Sequence, residues 1–133
     1  ENLYNHHYGN NNINMKEKLK KINDLIAKHE EEIANPILEY LNKREDINLI
    51  GKKIIVNKNR APTISFTSKQ KTSKEISKKL VDNKIATRND NFYAWRCLKH
   101  LGINTNDGVV RLSMVHYNNI NDTENIIKAL KII

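Results

Sequence analysis

The sequence predicts an α/β fold of two layers: a small mixed sheet of about four strands, helices on one of its faces, and a long helix leading in. Three observations carry this expectation. Apolar residues alternate in "PTISFT" (62–67) and in "DGVVRLSMVHYNN" (107–119), as half-buried strands require. Residues 15 to 42 instead repeat apolar side chains every three or four positions, the period of an amphipathic helix. Two capping-box signatures, "TSKE" at 72–75 and "NDTE" at 121–124, mark the starts of further helices.

The elements follow in order. Residues 1–14 carry two histidines, a run of asparagines and no apolar period, which predicts an irregular N-terminal arm. His6 and His7 lack a third ligand at helical or turn spacing, so no metal site is expected there. Met15, Leu19, Ile22, Ile26, His29, Ile33, Ile37 and Leu41 form the stripe of a connecting helix within 15–45, which Asn35-Pro36 should kink or divide. His29, on that stripe, reads as a hydrogen-bonded core or interface histidine, and Glu30 to Glu32 as a solvated face.

Residues 47–56, "INLIGKKIIV", read as strand, turn at Gly51 and strand. In 62–67, Ile64 and Phe66 share the inner face, and Pro62 suits a strand's first position. The helix after Thr72 should turn Ile76, Leu80 and Val81 inward. "KIATR" (84–88) reads as a short strand, and Ala94, Leu98 and Leu101 as a helix face that stops at Gly102. A strand over 107–117 and a last helix with Ile126, Ile127 and Leu130 inward complete a domain at 46–133. The long first helix lies outside such a unit, like a connection to something larger.

A chain of 133 residues, 38% apolar and 29% charged, suits one soluble domain with a modest core. No run approaches a membrane span, and no membrane partner is expected. The single cysteine, Cys97, excludes an internal disulfide, fits a reducing compartment and leads to a cytoplasmic expectation. The net charge of +8 would suit nucleic acid, but the lysines are scattered and interleaved with acids. A basic nucleic-acid-binding module is therefore the alternative reading, and no specific nucleic-acid partner is expected.

Self-contained catalytic chemistry is not evident. Cys97 and His100 stand three apart on a predicted helix without a third orienting group, so Cys97 reads as a buried or half-buried inert thiol. There is no glycine-rich phosphate loop, zinc motif or nucleophile elbow. What remains is Arg60, Arg88 and Arg111, at strand ends or within strands; Arg44 and Arg96 read as solvated helix residues. Arg111 sits in mid-strand, where an unpaired buried charge would be costly. It must be exposed or held against an anion. Two alternatives stay open on the residues alone, an anionic ligand and a structural ion pair.

Five segments in order, "HEEEIANPILEYLNKREDINLIG" (29–51), "RAPTISFT" (60–67), "KIATRNDNFYA" (84–94), "LGINTNDGVVRLSMVHYNN" (101–119) and "IIKALKII" (126–133), carry a resemblance. Over residues 20–133 the chain resembles the C-terminal part of class V aminotransferases, the family that includes cysteine desulfurases and selenocysteine lyases. The resemblance implies the type I fold of pyridoxal-phosphate enzymes, in which a large domain holds the cofactor on a lysine and a small domain folds over the site. This chain is similar to the small domain plus its connecting helix. None of its lysines matches the Schiff-base position, so the resemblance implies a cofactor held elsewhere, no catalytic residue here and no activity alone. It further implies an amino-acid substrate and a homodimeric full-length enzyme.

By the same resemblance Arg111 binds the substrate's α-carboxylate. Arg88 corresponds to a second arginine near the mouth of the site, and Arg60 reads as structural. One departure matters. Desulfurases of the "R-x-G-x-x-C" type place a cysteine five residues after the arginine; here Tyr93 stands there, and Asp90 replaces the glycine. That points away from a standard desulfurase and toward a lyase, an aminotransferase or an epimerase.

Overall fold

A computed structural model describes residues 1–133. The elements are α1 (Asn2–Tyr8), α2 (Met15–Asn42), β1 (Ile47–Ile50), β2 (Thr63–Ser68), α3 (Ser73–Asp82), β3 (Arg88–Asp90), α4 (Trp95–His100), β4 (Val109–Ser113) and α5 (Ile120–Lys131). The four strands form one sheet in the order β1-β2-β4-β3, and every neighbouring pair is antiparallel rather than mixed. No helix is long and apolar enough to cross a membrane.

One face of the sheet is covered and builds the core. Ile64 and Phe66 of β2, and Val110 and Leu112 of β4, are fully or almost fully buried. They meet Ile33, Ile37, Leu38 and Leu41 of α2, Ile76 and Leu80 of α3, and Ile126 and Leu130 of α5. Burying each such side chain stabilises the fold by roughly 1.5–3 kcal/mol, so these contacts set the register of everything else. Only the C-terminal half of α2 takes part: Met15 and Leu19, at the start of the same stripe, remain exposed. Helix α2 runs undivided through Pro36.

Several expectations are corrected. The N-terminal arm is not irregular, since residues 2–8 form a helix. Its cause is tertiary: Tyr4 is buried, stacks on Tyr8 at 5.1 Å and lies beneath the Lys18 ammonium, while Lys18 also binds Glu1 at 3.0 Å. Residues 53–56 are not a strand. Ile54 and Val56 are exposed, and the backbone of Ile55 pairs with a side chain: Asn35 accepts from its N–H at 2.8 Å and donates to its carbonyl at 2.9 Å. The strand expected at 84–88 lies instead at Arg88–Asp90, and Val81 points to solvent.

The capping box at Thr72 and Glu75 forms as the sequence reads. The last helix is capped by Asn119 with Asp122, two residues before the expected position. A turn in which the Val115 N–H donates to Asn118 Oδ1 at 2.9 Å brings Asn119 into the extended capping conformation.

Arg44 is the largest departure among the charged residues. It lies beyond the end of α2, not on it, and is not solvated. Its Nε and Nη2 donate to the two oxygens of Asp46 at 2.9 and 2.6 Å, and its Nη1 donates to the Leu130 carbonyl at 2.7 Å. The end of α2, the entry to β1 and the end of α5 are thus tied by one guanidinium.

Two outcomes test this architecture. Hydrogen bonds from Arg44 hold the Asp46 carboxyl below its usual range. A depressed folded value means the pair contributes fully above the unfolded pKa of about 3.9 and is lost as pH falls through the folded value. Asp46→Asn should therefore lower the urea midpoint at pH 7, and its deficit against the native chain should close as pH is taken below about 4. The second outcome concerns Gly108, which has a φ of +70° and packs against β3; a Cβ there would overlap the Asp90 carbonyl group and approach the Asn91 nitrogen to 2.7 Å. Gly108→Ala should cost about 2 kcal/mol or more in chemical denaturation, because both the backbone and its neighbour must shift.

Candidate functional site

The period of two along β4 decides the site. Val110 and Leu112 are committed to the core, so Arg111 must project from the other face. Register then places its neighbours. Ile50 pairs with Ser65, Ser65 with Arg111, and Arg111 with Arg88, which makes one row across all four strands. Two arginines are direct cross-strand neighbours on the face away from the core. In an antiparallel pair such residues have Cβ atoms about 4.5–5.5 Å apart, and like charges so placed repel.

The short strand β3 is held in place by its surroundings. Thr87 Oγ1 donates to the Arg111 carbonyl at 2.8 Å. Asn89, on the core side, donates to Ser73 Oγ at 3.1 Å, and Ser73 Oγ donates to the Asp107 carbonyl at 2.5 Å. Asp107 Oδ1 also accepts from the Ser73 N–H at 2.9 Å, which joins the first turn of α3 to the entry of β4. Beyond β3, Asn91 accepts from the Tyr93 N–H at 3.0 Å, and both Phe92 and Tyr93 take left-handed backbone angles, φ +51° and +60°. That turn sets the Phe92 ring 4.0 Å from the Arg111 guanidinium carbon.

Neither arginine has an acid partner. The ion pairs of the fold join Lys18–Glu1, Lys28–Glu32, Lys43–Glu39, Arg44–Asp46, Lys58–Asp24 and Lys128–Glu124. No side-chain hydrogen bond engages the Arg111 or Arg88 guanidinium. Arg111 is half-buried, Arg88 exposed. Two forks of N–H donors stand without acceptors in the fold, one of them stacked on a ring; forks of this kind match planar anions.

The other candidates sort differently. Arg60 is structural: it donates to the Lys52 carbonyl and, at 2.8 Å, to the Thr63 carbonyl, and burial pushes its guanidinium pKa down. His29 Nε2 lies 2.7 Å from the Asn118 carbonyl oxygen, so Nε2 carries the proton and the ring bridges α2 to the loop after β4. Cys97 is exposed on α4, not buried, because the one-sided face of that short helix is spent on Leu98. No group of three or more His, Cys, Asp or Glu side chains gathers at any point, His6 and His7 included. The Phe92 contact has no sequence signal: an aromatic in "NFYA" is visible, but a left-handed φ at a phenylalanine is not.

The family model described as Aminotransferase class-V matches residues 13–126. The chain belongs to the aminotransferase class-V family. The aminotransferase-like protein FGM3 of Gibberella zeae is 30% identical over 118 residues, which make up 88% of this class-V chain and 29% of that protein. Among solved structures, a cysteine desulfurase from Thermococcus onnurineus NA1 superposes with a TM-score of 0.70 at 24% identity, covering 86% of this chain and 28% of that one. The cysteine desulfurase CsdA of Escherichia coli gives 0.66 at 19% identity, over 79% and 24%. At these identities the likeness is one of fold. The chain spans less than a third of the length of each of these relatives.

The outer face of the sheet is mostly polar. The outward positions of the four strands are Asn48 and Ile50, Thr63, Ser65 and Thr67, Arg88 and Asp90, and Val109, Arg111 and Ser113; no lysine is among them to form a Schiff base. If the arginine row is there for a ligand, it should be a burden on the free fold. Arg88→Ala should leave the unfolding free energy at low ionic strength unchanged or slightly raised, by about 0.5 kcal/mol or less, with the difference shrinking in salt. A clear loss of stability would mean that Arg88 has a partner within the fold.

Proposed function

We propose that this class-V chain is the substrate-gating small domain (46–133), with its connecting helix (15–45), of a pyridoxal-phosphate-dependent enzyme acting on an amino acid. Arg111 anchors the substrate α-carboxylate, and Arg88 assists from the neighbouring strand. The observation that carries this reading is the pair of arginines, directly opposite on neighbouring strands and without acid partners, on the sheet face away from the core. The class-V membership supplies the chemistry such a receptor would serve.

The mechanism for these residues is binding and orientation. The Arg111 fork donates two parallel N–H bonds to a carboxylate, which fixes both the position and the plane of the amino acid's acid group. A fixed carboxylate leaves rotation about one bond to decide which α-carbon substituent stands ready to break. Pyridoxal phosphate, when bound, would supply an electron sink for electrons left at the substrate's α-carbon. Its lysine belongs to a large domain of the full-length protein, and this chain alone is inactive. Closure over the site excludes water, and the arginine contacts strengthen in its absence. The full-length enzyme is a homodimer in the cytoplasm.

Tyr93 bears on the reaction type. A phenol cannot take up sulfur as a persulfide, so a standard desulfurase transfer through this position is ruled out on this reading. Aminotransferase, lyase and epimerase chemistry remain compatible with a carboxylate anchor. The nucleic-acid alternative has no comparable support, since five lysines are paired with carboxylates.

The test is steady-state kinetics of the full-length enzyme on an amino-acid substrate. Charge-assisted bonds contribute about 1.5–3 kcal/mol each, so Arg111→Ala should lower kcat/KM by roughly two orders of magnitude or more. Arg111→Lys keeps the charge and loses the fork, and should fall between the two. Cofactor absorbance should be unchanged in both variants. Near-normal kcat/KM in a folded Arg111→Ala enzyme would remove the anchor role.

A further inference from the structure

We propose that Phe92 is a positioning residue for Arg111, which holds the guanidinium by its face so that its N–H edge is free and aimed before any carboxylate arrives. This deepens the carboxylate-anchor reading and rests on it. Four bonds separate the Arg111 guanidinium from its backbone, and no hydrogen bond or ion pair fixes it. Arginine carries a large rotamer entropy, which binding must otherwise remove at the moment of contact. What holds it is the Phe92 ring, whose centre lies 4.0 Å from the guanidinium carbon.

The nature of that contact suits the task. A carboxylate partner would compete with a ligand for the N–H donors, and a hydroxyl would occupy one of them. An aromatic face holds the cation through its quadrupole and uses none of the donors. It also lowers the cost of a half-buried charge beside Arg88 without neutralising it.

The ring is there because the backbone is forced. Phe92 and Tyr93 are consecutive residues with positive φ, a conformation that bulky side chains rarely adopt. The turn is held by the Asn91 carbonyl, which accepts from the Ala94 N–H at 2.8 Å, and by the Asn91 side chain on the Tyr93 N–H. Gly108 permits the close approach of the Asp90–Asn91 backbone to β4 from below. Tyr93, its neighbour in the turn, is 98% exposed and touches none of this, so the strain serves the placement of Phe92.

The experiment measures Arg111 directly in the full-length protein. Phenylglyoxal modification of Arg111 is followed by peptide mass spectrometry, with propionate as the protecting carboxylate and Arg88 as the internal reference. Phe92→Leu removes the quadrupole and keeps apolar bulk. Phe92→Asn removes the ring but accepts the left-handed backbone, so it folds where leucine would strain the turn. Phe92→Tyr keeps the aromatic face. Propionate should protect Arg111 in the native protein. The half-protecting concentration should rise about fivefold in Phe92→Leu and Phe92→Asn and change less than about twofold in Phe92→Tyr. Equal protection in all four proteins would overturn the positioning role and leave the anchor standing. Absence of protection in the native protein would overturn both.

Discussion

The structure depends on the alternation of side chains along β4. Val110 and Leu112 on one face lie at the centre of the core, touched by elements from three helices, and Arg111 stands between them on the other. A slip of one residue would drive the guanidinium into that core and expose the aliphatic side chains, at a cost far above what any loop contact could offset. The core therefore does more than stabilise. It fixes, to within a strand register, which side of the sheet the arginine serves. The pairing of β4 with β2 and β3 then determines what lies beside it: a serine on one side and a second arginine on the other.

Placing two arginines side by side is a local loss. Natural sequences oppose unlike charges across strands, because a like pair gains nothing from the fold. The acid nearest by register, Asp90, shares the outward face of β3 but forms no ion pair with either arginine; one of its oxygens accepts from the Asn91 N–H at 2.6 Å. The adjoining turn adds two positive-φ residues of bulky type. Departures from local rules that gather in one place, with sound packing everywhere around them, are what a ligand site costs a fold.

Much of this was legible in the sequence, and the reasons for the rest are physical. Strands β2 and β4 and the cap at Thr72 are encoded locally, by alternation and by a side chain that reaches three residues. Helix α1 is not: it has no side-chain cap and no acid in its first turn, and exists because Tyr4 and Glu1 find Lys18 on α2. "KKIIV" has the composition of a strand, yet its backbone finds Asn35 instead of another strand, a contact across twenty residues that no window can register. Arg44 was misread for the same reason, since its fork is completed by the carbonyl of Leu130. For the site, alternation placed Arg111 on the outer face, and the family resemblance singled out both arginines. The pairing of Arg88 with Arg111 follows from a strand shifted four residues from its expected start. The ring over the guanidinium follows from a backbone conformation that sequence does not print.

Helix α2 connects these local facts to the proposed movement. Two polar contacts from α2, and a third from Arg44 just past its end, fasten it on the α5 side: His29 to the carbonyl of Asn118 at 2.7 Å, Thr123 Oγ1 to the carbonyl of Ile33 at 2.7 Å, and Arg44 to the carbonyl of Leu130. All three reach α5 or the turn between β4 and α5, and each is backed by the apolar contacts of Ile33, Ile37 and Leu41. Close-packed interiors transmit displacement instead of absorbing it. The helix also outruns the sheet, for its first turns carry Met15 and Leu19 away from the core into the open. On the small-domain reading, a force applied to those turns would swing the sheet and the arginine row as one body. Arg111 would then be delivered to its carboxylate by the rotation of a rigid unit, with its side chain already set by Phe92, and no rearrangement of the strand would be needed.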